Sequence, residues 1–326
     1  MKQFVVCAAL IAATSSVALA GDGTNLTKYV ADTTSVYFVM DVAGAKSSAL
    51  VKESFAKLMD AKPEARQKLE QVGLDPLRDL DTMVVAFGGF TEIENLGEGS
   101  SMVMIFEGRL PKDARAKFTD AVRTSQKGVD VFSKDDHEMS IIDGRLFLTQ
   151  KGGMSNVIAF AKGKSRASLA TGPGGKEMRE TIKTASTKSH VWGAVVLPQK
   201  DRAKTVAAQM PVNAASFGFK FSSNLDGGLR IVAPSEVSAE GTLKMLTGAL
   251  PQVKMMMGTI GLDVAANTLK LGQDKSAVTA SIKLTETEIK SLFAKAMAQS
   301  GGASPAPKPV PPPQAPPTKG GLGKKP

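Results

Sequence analysis

Short apolar runs with the spacing of β-strands alternate with segments of helical spacing along most of this 326-residue chain. Residues 36–40 are apolar at every position, which is typical of a strand buried on both faces. In residues 216–221 and 278–284 apolar residues alternate with small or polar ones, as in a sheet with one solvated face. The pattern predicts an α+β fold in which helices pack on one face of a mainly antiparallel sheet.

Part of this order occurs twice. Leu110-Pro111 and Leu197-Pro198 each follow a predicted strand, and each opens a segment rich in Lys, Arg and Ala. An Asp-Gly pair, which favours a tight hairpin turn, comes later in both halves, at Asp143-Gly144 and Asp226-Gly227. We therefore predict two related strand–helix–hairpin lobes. The alternative is that short Lys/Arg/Ala helices resemble one another by chance.

Local signals predict several further elements. Glycine at 175 and apolar positions up to 185 predict a short helix, and the apolar run 156–161 predicts an additional strand. Residues 238–260 have helical spacing in two stretches that Pro251 interrupts. Thr285-x-x-Glu288 has the sequence of a capping box and predicts the start of the last helix.

The two ends of the chain differ from the part between them. Lys2, the apolar run from Phe4 to Ala13 and the small-residue pattern Ala18-Leu19-Ala20 predict a cleavable secretory leader. The apolar run is shorter than the roughly 20 residues that span a bilayer, and no later stretch is apolar for long enough. The protein is therefore expected to be exported, to the periplasm or the extracellular space. The predicted divisions are a leader at 1–20, a loose segment at 21–34, lobes at 35–187 and 188–300, and a tail at 301–326.

The tail holds nine of the chain's 17 prolines together with four lysines and no acid. Such a segment is expected to be disordered, because it cannot bury enough apolar surface to order itself. Its lysines could attract anionic envelope polymers weakly, and an inert linker remains equally open. The chain's net charge of +10 is not concentrated on one predicted element, so no specific nucleic-acid partner is expected.

Few residues have the chemistry of a metal or cofactor site. The single cysteine lies in the leader, and the two histidines are far apart, so neither a metal site nor a cofactor is predicted. Residues 135–138 (Asp-Asp-His-Glu) suit a solvated loop before a strand better than a hard-cation site. The glycine-rich segment 171–176 lacks the first glycine of a phosphate loop, and Glu177 replaces its Ser or Thr. Met256 and Met257 are expected to be core, on one helical stripe with Val253 and Ile260.

Four aromatic residues form the candidate binding surface. Phe217, Phe219 and Phe221 alternate along one predicted strand, and Trp192 lies in another. They would offer an apolar surface to a ligand or a partner protein. Ordinary core packing is the alternative, because alternate strand positions usually face the core.

Three segments of the first half resemble a known group of proteins. They are 28–33 (Lys-Tyr-Val-Ala-Asp-Thr), 47–51 (Ser-Ser-Ala-Leu-Val) and 73–81 (Gly-Leu-Asp-Pro-Leu-Arg-Asp-Leu-Asp). In this order they resemble exported bacterial envelope proteins of myxobacterial type, some of which are lipid-anchored, over residues 25–120. The chain departs from the lipid-anchored members because it has no cysteine at the cleavage site. The resemblance implies a duplicated α+β unit in the cell envelope and carries no activity with it.

Three functions fit these observations. The preferred one is a non-catalytic envelope protein that binds a partner protein or an apolar ligand. The second is a periplasmic hydrolase whose carboxylates are distant in sequence and converge in space. The third is a carrier of lipids or lipoproteins. Two carboxylates in one cleft would favour the hydrolase, and an apolar groove without them would favour binding.

Overall fold

The structure is a computed structural model. It describes residues 23–46, 48–49, 51–53, 56, 60, 75–89, 101–110, 121–185, 187–207, 209–222 and 224–292. The predicted leader, the predicted tail and the segment that follows Leu110 lie outside the described residues.

Twelve antiparallel strands form a single sheet in the described part of the chain. They are β1 (Thr34–Asp41), β2 (Leu80–Gly88), β3 (Ser101–Gly108), β4 (Val122–Gln126), β5 (Val129–Lys134), β6 (His137–Ile142), β7 (Arg145–Gln150), β8 (Val191–Val196), β9 (Ala214–Phe221), β10 (Asn224–Val232), β11 (Lys270–Asp274) and β12 (Ala277–Thr285). The helices are α1 (Val42–Ala45), α2 (Pro76–Asp79), α3 (Met154–Ala161), α4 (Lys176–Thr184), α5 (Gln199–Ala207), α6 (Glu236–Thr259) and α7 (Asp263–Thr268), with a further helix at 286–292 and a 3-10 turn at Thr24–Tyr29. The α+β class and the mainly antiparallel sheet agree with the sequence prediction.

The five strands on one side of the sheet's β1–β8 junction repeat the order of the nearest five on the other side, where β5 and β4 extend the sheet further. The strands run β11-β12-β10-β9-β8-β1-β2-β3-β7-β6-β5-β4, and β1 pairs with β8 at the junction. Outward from this junction, β1-β2-β3-β7-β6 correspond in position to β8-β9-β10-β12-β11. In this order β8 corresponds to β1. The sequence repeat had instead predicted that β8 corresponds to β3, because Leu197-Pro198 follows β8 and Leu110-Pro111 follows β3. The division into lobes at residues 187 and 188 stays a prediction.

Helices cover both faces of the sheet, which corrects the prediction of one covered face. Side chains of β1 alternate, so Tyr37 packs with α3 and α4 on one side. Met40 packs on the other side, in a cluster that contains Val42 of α1 and Ile289 of the last helix. Both faces are apolar in the middle of the sheet, and helices pack against part of each.

Four local predictions are wrong. The segment predicted to be loose forms a 3-10 turn at Thr24–Tyr29 that buries Leu26 and Tyr29 in the core. The run 156–161 lies in helix α3, where Met154, Val157 and Ile158 are buried. Asp226-Gly227 lies inside β10 opposite Lys220 and Phe219, because β9 ends at Phe221 and β10 already begins at Asn224. Pro251 does not interrupt α6, which is continuous for 24 residues.

Other local predictions are confirmed. Asp143 and Gly144 have φ angles of 51° and 76° between β6 and β7, the left-handed conformations that a tight hairpin turn requires. The predicted helix at 175–185 is α4. In the capping box, the Thr285 backbone N–H donates to Glu288 Oε2 at 2.8 Å, and Glu288 N–H donates to Thr285 Oγ1 at 3.3 Å.

Candidate functional site

One face of the central strands carries apolar side chains alone. Paired residues of an antiparallel sheet point to the same side, so the register identifies this set. From β1, β2, β3, β8 and β9 it comprises Val36, Phe38, Met40, Met83, Val85, Phe87, Met102, Met104, Phe106, Val191, Val195, Ala215, Phe217, Phe219 and Phe221, with Gly193 among them. Asp81, at the register shift near the start of β2, lies beyond this set and pairs with Lys46 at 3.4 Å.

Three half-buried rings lie side by side on this surface, which we name the phenylalanine face (Phe38, Phe217 and Phe219). The ring centroids of Phe38 and Phe217 are 6.2 Å apart, and those of Phe217 and Phe219 are 5.7 Å apart. These separations are within the range of favourable aromatic contacts. All three rings pack against the buried cluster that contains Met40 and Ile289, and each keeps part of its surface exposed.

Gly193 makes this arrangement possible. In the register it lies between Phe38 of β1 and Phe217 of β9. A Cβ on Gly193 would be 2.5 Å from Cζ of Phe217, so the ring occupies the space that any other residue would fill. The Phe217 ring therefore crosses β8 and reaches Phe38, two strands from its own backbone.

The structure brings together only part of the predicted aromatic surface. Phe217 and Phe219 lie on the phenylalanine face. Phe221 points to the same side but is 0% exposed, and its backbone N–H donates to His190 Nδ1 at 2.9 Å. It belongs to the core beneath Leu225 and Ile289 rather than to an accessible surface.

Trp192 lies on the opposite side of the sheet. It is 1% exposed and packs against Tyr37, with ring centroids 5.8 Å apart. Adjacent strand residues face opposite sides, and Gly193, not Trp192, shares the side of Phe217. Trp192 and the phenylalanines therefore do not form one surface.

Phe38 is the member of the site that sequence reasoning missed. Its strand is apolar on both sides, which predicts burial and gives no sign that one ring stays partly exposed. Phe38 could have been identified only from the pairing of β1 with β8, because that pairing places Gly193 beside Phe38. Such a pairing joins residues more than 150 positions apart and leaves no local pattern.

A pocket of about 310 Å³ lies elsewhere, between α3 and the turns of the β4–β7 strands. Asp130 and Asp143 line it together with Lys162. Both carboxylates have partners: Asp130 Oδ2 is 2.9 Å from Arg123 Nη2, and Asp143 Oδ2 accepts from the Tyr29 hydroxyl at 3.0 Å. These contacts connect neighbouring elements, so both carboxylates that line the pocket stabilise the fold.

The carboxylate of Asp32 lies against the glycine-rich segment 171–176, which resembles a phosphate loop. Gly174 N–H donates to Asp32 Oδ2 at 3.1 Å. A Cβ on Gly172 would be 2.3 Å from the same oxygen. Glycine at 172 therefore allows the close approach of Asp32, and the loop joins the start of β1 to α4.

Only part of the acidic segment 135–138 is a turn, because His137 and Glu138 already belong to β6, and this corrects the loop interpretation. Asp135 has a positive φ of 52° in the turn, whereas Glu138 is 6% exposed. Glu138 Oε2 accepts from the backbone N–H of Met154 at 3.0 Å, at the first turn of α3. The carboxylate satisfies a helix-end donor in the core.

Neither a candidate metal cluster nor a helix long and apolar enough to cross a membrane occurs among the described residues.

The sequence matches no protein-family model and no curated protein. Among solved structures, one entitled "Structure of crystal form I of TP0453" is similar, with a TM-score of 0.46 and 10% sequence identity. The similarity covers 83% of this chain and 96% of that chain. A likeness of this extent supports no statement about what the chain binds.

Proposed function

We propose that this chain is an exported, non-catalytic protein of the cell envelope that binds a long apolar ligand on the phenylalanine face. One observation carries the proposal: Phe38, Phe217 and Phe219 form a row of adjacent, partly buried rings that each keep some exposed surface. Contiguous apolar surface that stays accessible, rather than a single apolar residue, marks ligand and partner sites.

The shape of the surface favours an extended ligand. From Phe219 the partly exposed rings continue through Phe217, across β8, to Phe38, whereas Val85 and Met104 on the neighbouring strands are buried. The centroids of the three rings are separated by 5.7 Å and 6.2 Å along this row. A fatty acyl chain therefore fits the row better than a compact ring system does.

The competing hydrolase would require two carboxylates that are free to exchange protons. The pocket that contains Asp130 and Asp143 is the place to look for them, but each carboxylate holds a structural partner, Arg123 and Tyr29. We therefore assign Asp130 and Asp143 a role in stabilising the fold rather than in catalysis. Turnover that is abolished in D143N while the fold is retained would favour the hydrolase instead.

Export and kinship with the myxobacterial-type envelope proteins belong to the same proposal. They rest on the leader pattern at 1–20 and on the three segments within 25–120. Protein recovered from an envelope fraction should begin at Gly21. A carrier role for lipids would additionally require that the bound chain is passed to an acceptor membrane, which a vesicle-transfer assay measures.

The binding proposal is tested with cis-parinaric acid, a fatty acid whose emission rises in apolar surroundings. F217S should weaken its binding by about tenfold, because a serine removes much of the apolar contact area of the ring. F160S is the matched control: Phe160 is also half-buried, but it lies on α3 on the other side of the sheet. Circular dichroism checks that both variants fold.

Equal affinities of F217S and F160S would contradict the assignment of the site. If the wild-type chain does not bind the probe at all, the proposed function itself is wrong.

A further inference from the structure

Helix α6 exposes much of its apolar surface. Among its side chains, only Ala239 and Thr242 are buried. The exposed apolar residues on and just beyond it are Val237 (79%), Met245 (43%), Val253 (39%), Met255 (71%), Met256 (60%) and Ile260 (46%). The sequence had assigned Val253, Met256 and Ile260 to the core, and the structure corrects this.

Two methionines on this helix differ from the others that the structure describes. Met255 and Met256 are each more than half exposed, and they are neighbours near the end of α6. Several of the other methionines belong to the core. These buried ones, none of them more than 7% exposed, are Met40, Met83, Met104, Met154 and Met178. The structure therefore presents two adjacent thioether groups to solvent and keeps others inside.

Thioethers are the main sulfur chemistry that this chain offers to an oxidant. The chain has 15 methionines, and its only cysteine, Cys7, lies in the predicted leader. A thiol reacts as its thiolate, but a thioether has no proton to lose, so access to the oxidant controls its reaction. A buried sulfur can react only when the fold opens locally. Met255 and Met256 need no such opening.

The position of the two residues also decides what oxidation does to the fold. Methionine sulfoxide is polar. At Met154 its oxygen would enter the core cluster that contains Val157 and Ile158, where an unpaired polar group is costly. At Met255 and Met256 the oxygen would remain in water. Oxidation at these two positions should therefore change the surface of α6 and leave the packing of the core intact.

We propose that Met255 and Met256 form a reversible oxidation site for peroxides. The sulfur lone pair attacks one peroxide oxygen and the O–O bond breaks. With hydrogen peroxide, the proton on the transferred oxygen passes to the leaving hydroxide. The sulfur is thereby oxidised by two electrons to the sulfoxide, and the peroxide is reduced to water. Methionine sulfoxide reductases reverse the change. The inference does not depend on what the phenylalanine face binds.

Peptide mapping after limited treatment of the full chain with hydrogen peroxide tests the site. Trypsin cleaves after lysine and arginine, so peptide 255–270 carries both exposed methionines, and fragment ions separate them from Met257. Peptide 152–162 carries Met154 as its single methionine and is the buried reference. Met255 and Met256 should oxidise at least about tenfold faster than Met154, because only Met154 must wait for local opening. Circular dichroism should not change.

A double variant shows whether these two residues account for the change in surface. M255L/M256L keeps the side-chain size and removes both thioethers. Peroxide should shorten the retention of the wild-type chain on a phenyl column, and the double variant should lose this shift. M210L, at a partly buried methionine outside α6, is the control and should keep the shift. Methionine sulfoxide reductases A and B should restore the mass and the retention of the oxidised wild type.

Three results would overturn the inference. The first is an equal rate of oxidation at Met154 and at the two exposed methionines. The second is a loss of the circular dichroism signal in step with the first two oxygen atoms taken up. The third is a retention shift that persists in M255L/M256L or that the reductases do not reverse.

Discussion

At the scale of single residues, Glu288 stabilises the beginnings of two helices at once. Its Oε1 accepts from the backbone N–H groups of Val264, at 2.9 Å, and Ala265, at 3.2 Å, in the first turn of α7. Its Oε2 accepts from the N–H and the hydroxyl of Thr285. Burial by itself would raise the pKa of the Glu288 carboxyl, but the hydrogen bonds from Thr285, Ala265 and Val264 outweigh it and lower the pKa.

Replacing this carboxylate should cost stability in a pH-dependent way. E288Q should lower the free energy of unfolding by about 2 kcal/mol at pH 7, because buried donors lose a charged acceptor. A lowered folded-state pKa stabilises the fold above the ordinary value of 4.5, and this contribution is lost as the pH falls through the folded-state pKa. The difference between wild type and E288Q in urea unfolding should therefore shrink in acid.

E286Q is the control, since Glu286 is exposed on the same helix and pairs only with Lys290 among the contacts described for it. If E288Q lowers the free energy of unfolding equally at all pH values, or by the same amount as E286Q, then the Glu288 carboxylate does not stabilise the starts of both helices.

Residue-scale features were predictable when their partners were close in sequence. The Thr285–Glu288 box and the Asp143-Gly144 turn need only three or four neighbouring residues. The second role of Glu288, at the start of α7, depends on the fold that brings residues 264 and 288 together. No local pattern predicts it.

At the scale of elements, the phenylalanine face depends on how β8 lies between β1 and β9. Gly193 leaves room for the Phe217 ring to cross β8 and contact Phe38. The same device recurs on β10, where a Cβ on Gly227 would be 3.0 Å from two ring carbons of Phe219. Glycines in the strands thus set where the rings lie.

G193A should displace the Phe217 ring. The added methyl group would overlap Cζ, and we expect a loss of about 1–3 kcal/mol in the free energy of unfolding. It should also weaken binding of cis-parinaric acid, because the ring row is broken. G228A is the control, since a Cβ on Gly228 in β10 meets nothing within 4 Å. An unchanged stability and affinity in G193A would show that the ring is not held by this gap.

The type of an element was harder to predict where the same sequence pattern is compatible with two kinds of secondary structure. The apolar run 156–161 suits either a strand or a buried helix, and its packing against the 3-10 turn at Thr24–Tyr29 decides for the helix. Asp226-Gly227 has the composition of a turn, yet Gly227 serves as the space for Phe219 within a strand. In both cases a tertiary contact overrides the local preference.

At the scale of the whole molecule, the pairing of β1 with β8 joins seven strands to five in one sheet, and the five repeat the order of the nearest five among the seven. Alternation along the chain predicted the α+β class and the antiparallel sheet, because both depend on the two-residue period. The neighbour order could not be predicted, since it depends on contacts between strands that are far apart in sequence. For the same reason the sequence placed Trp192 with the phenylalanines, although it faces the other side.

Energy transfer from Trp192 tests the binding site most directly. Trp192 is the chain's single tryptophan, and it adjoins Gly193, the residue between Phe38 and Phe217. A polyene fatty acid bound on the phenylalanine face would lie one sheet thickness from the indole. Titration with cis-parinaric acid should quench the Trp192 emission to saturation while the probe emission rises, and excess palmitate should reverse both changes. Probe binding without quenching, or no binding at all, would contradict the account.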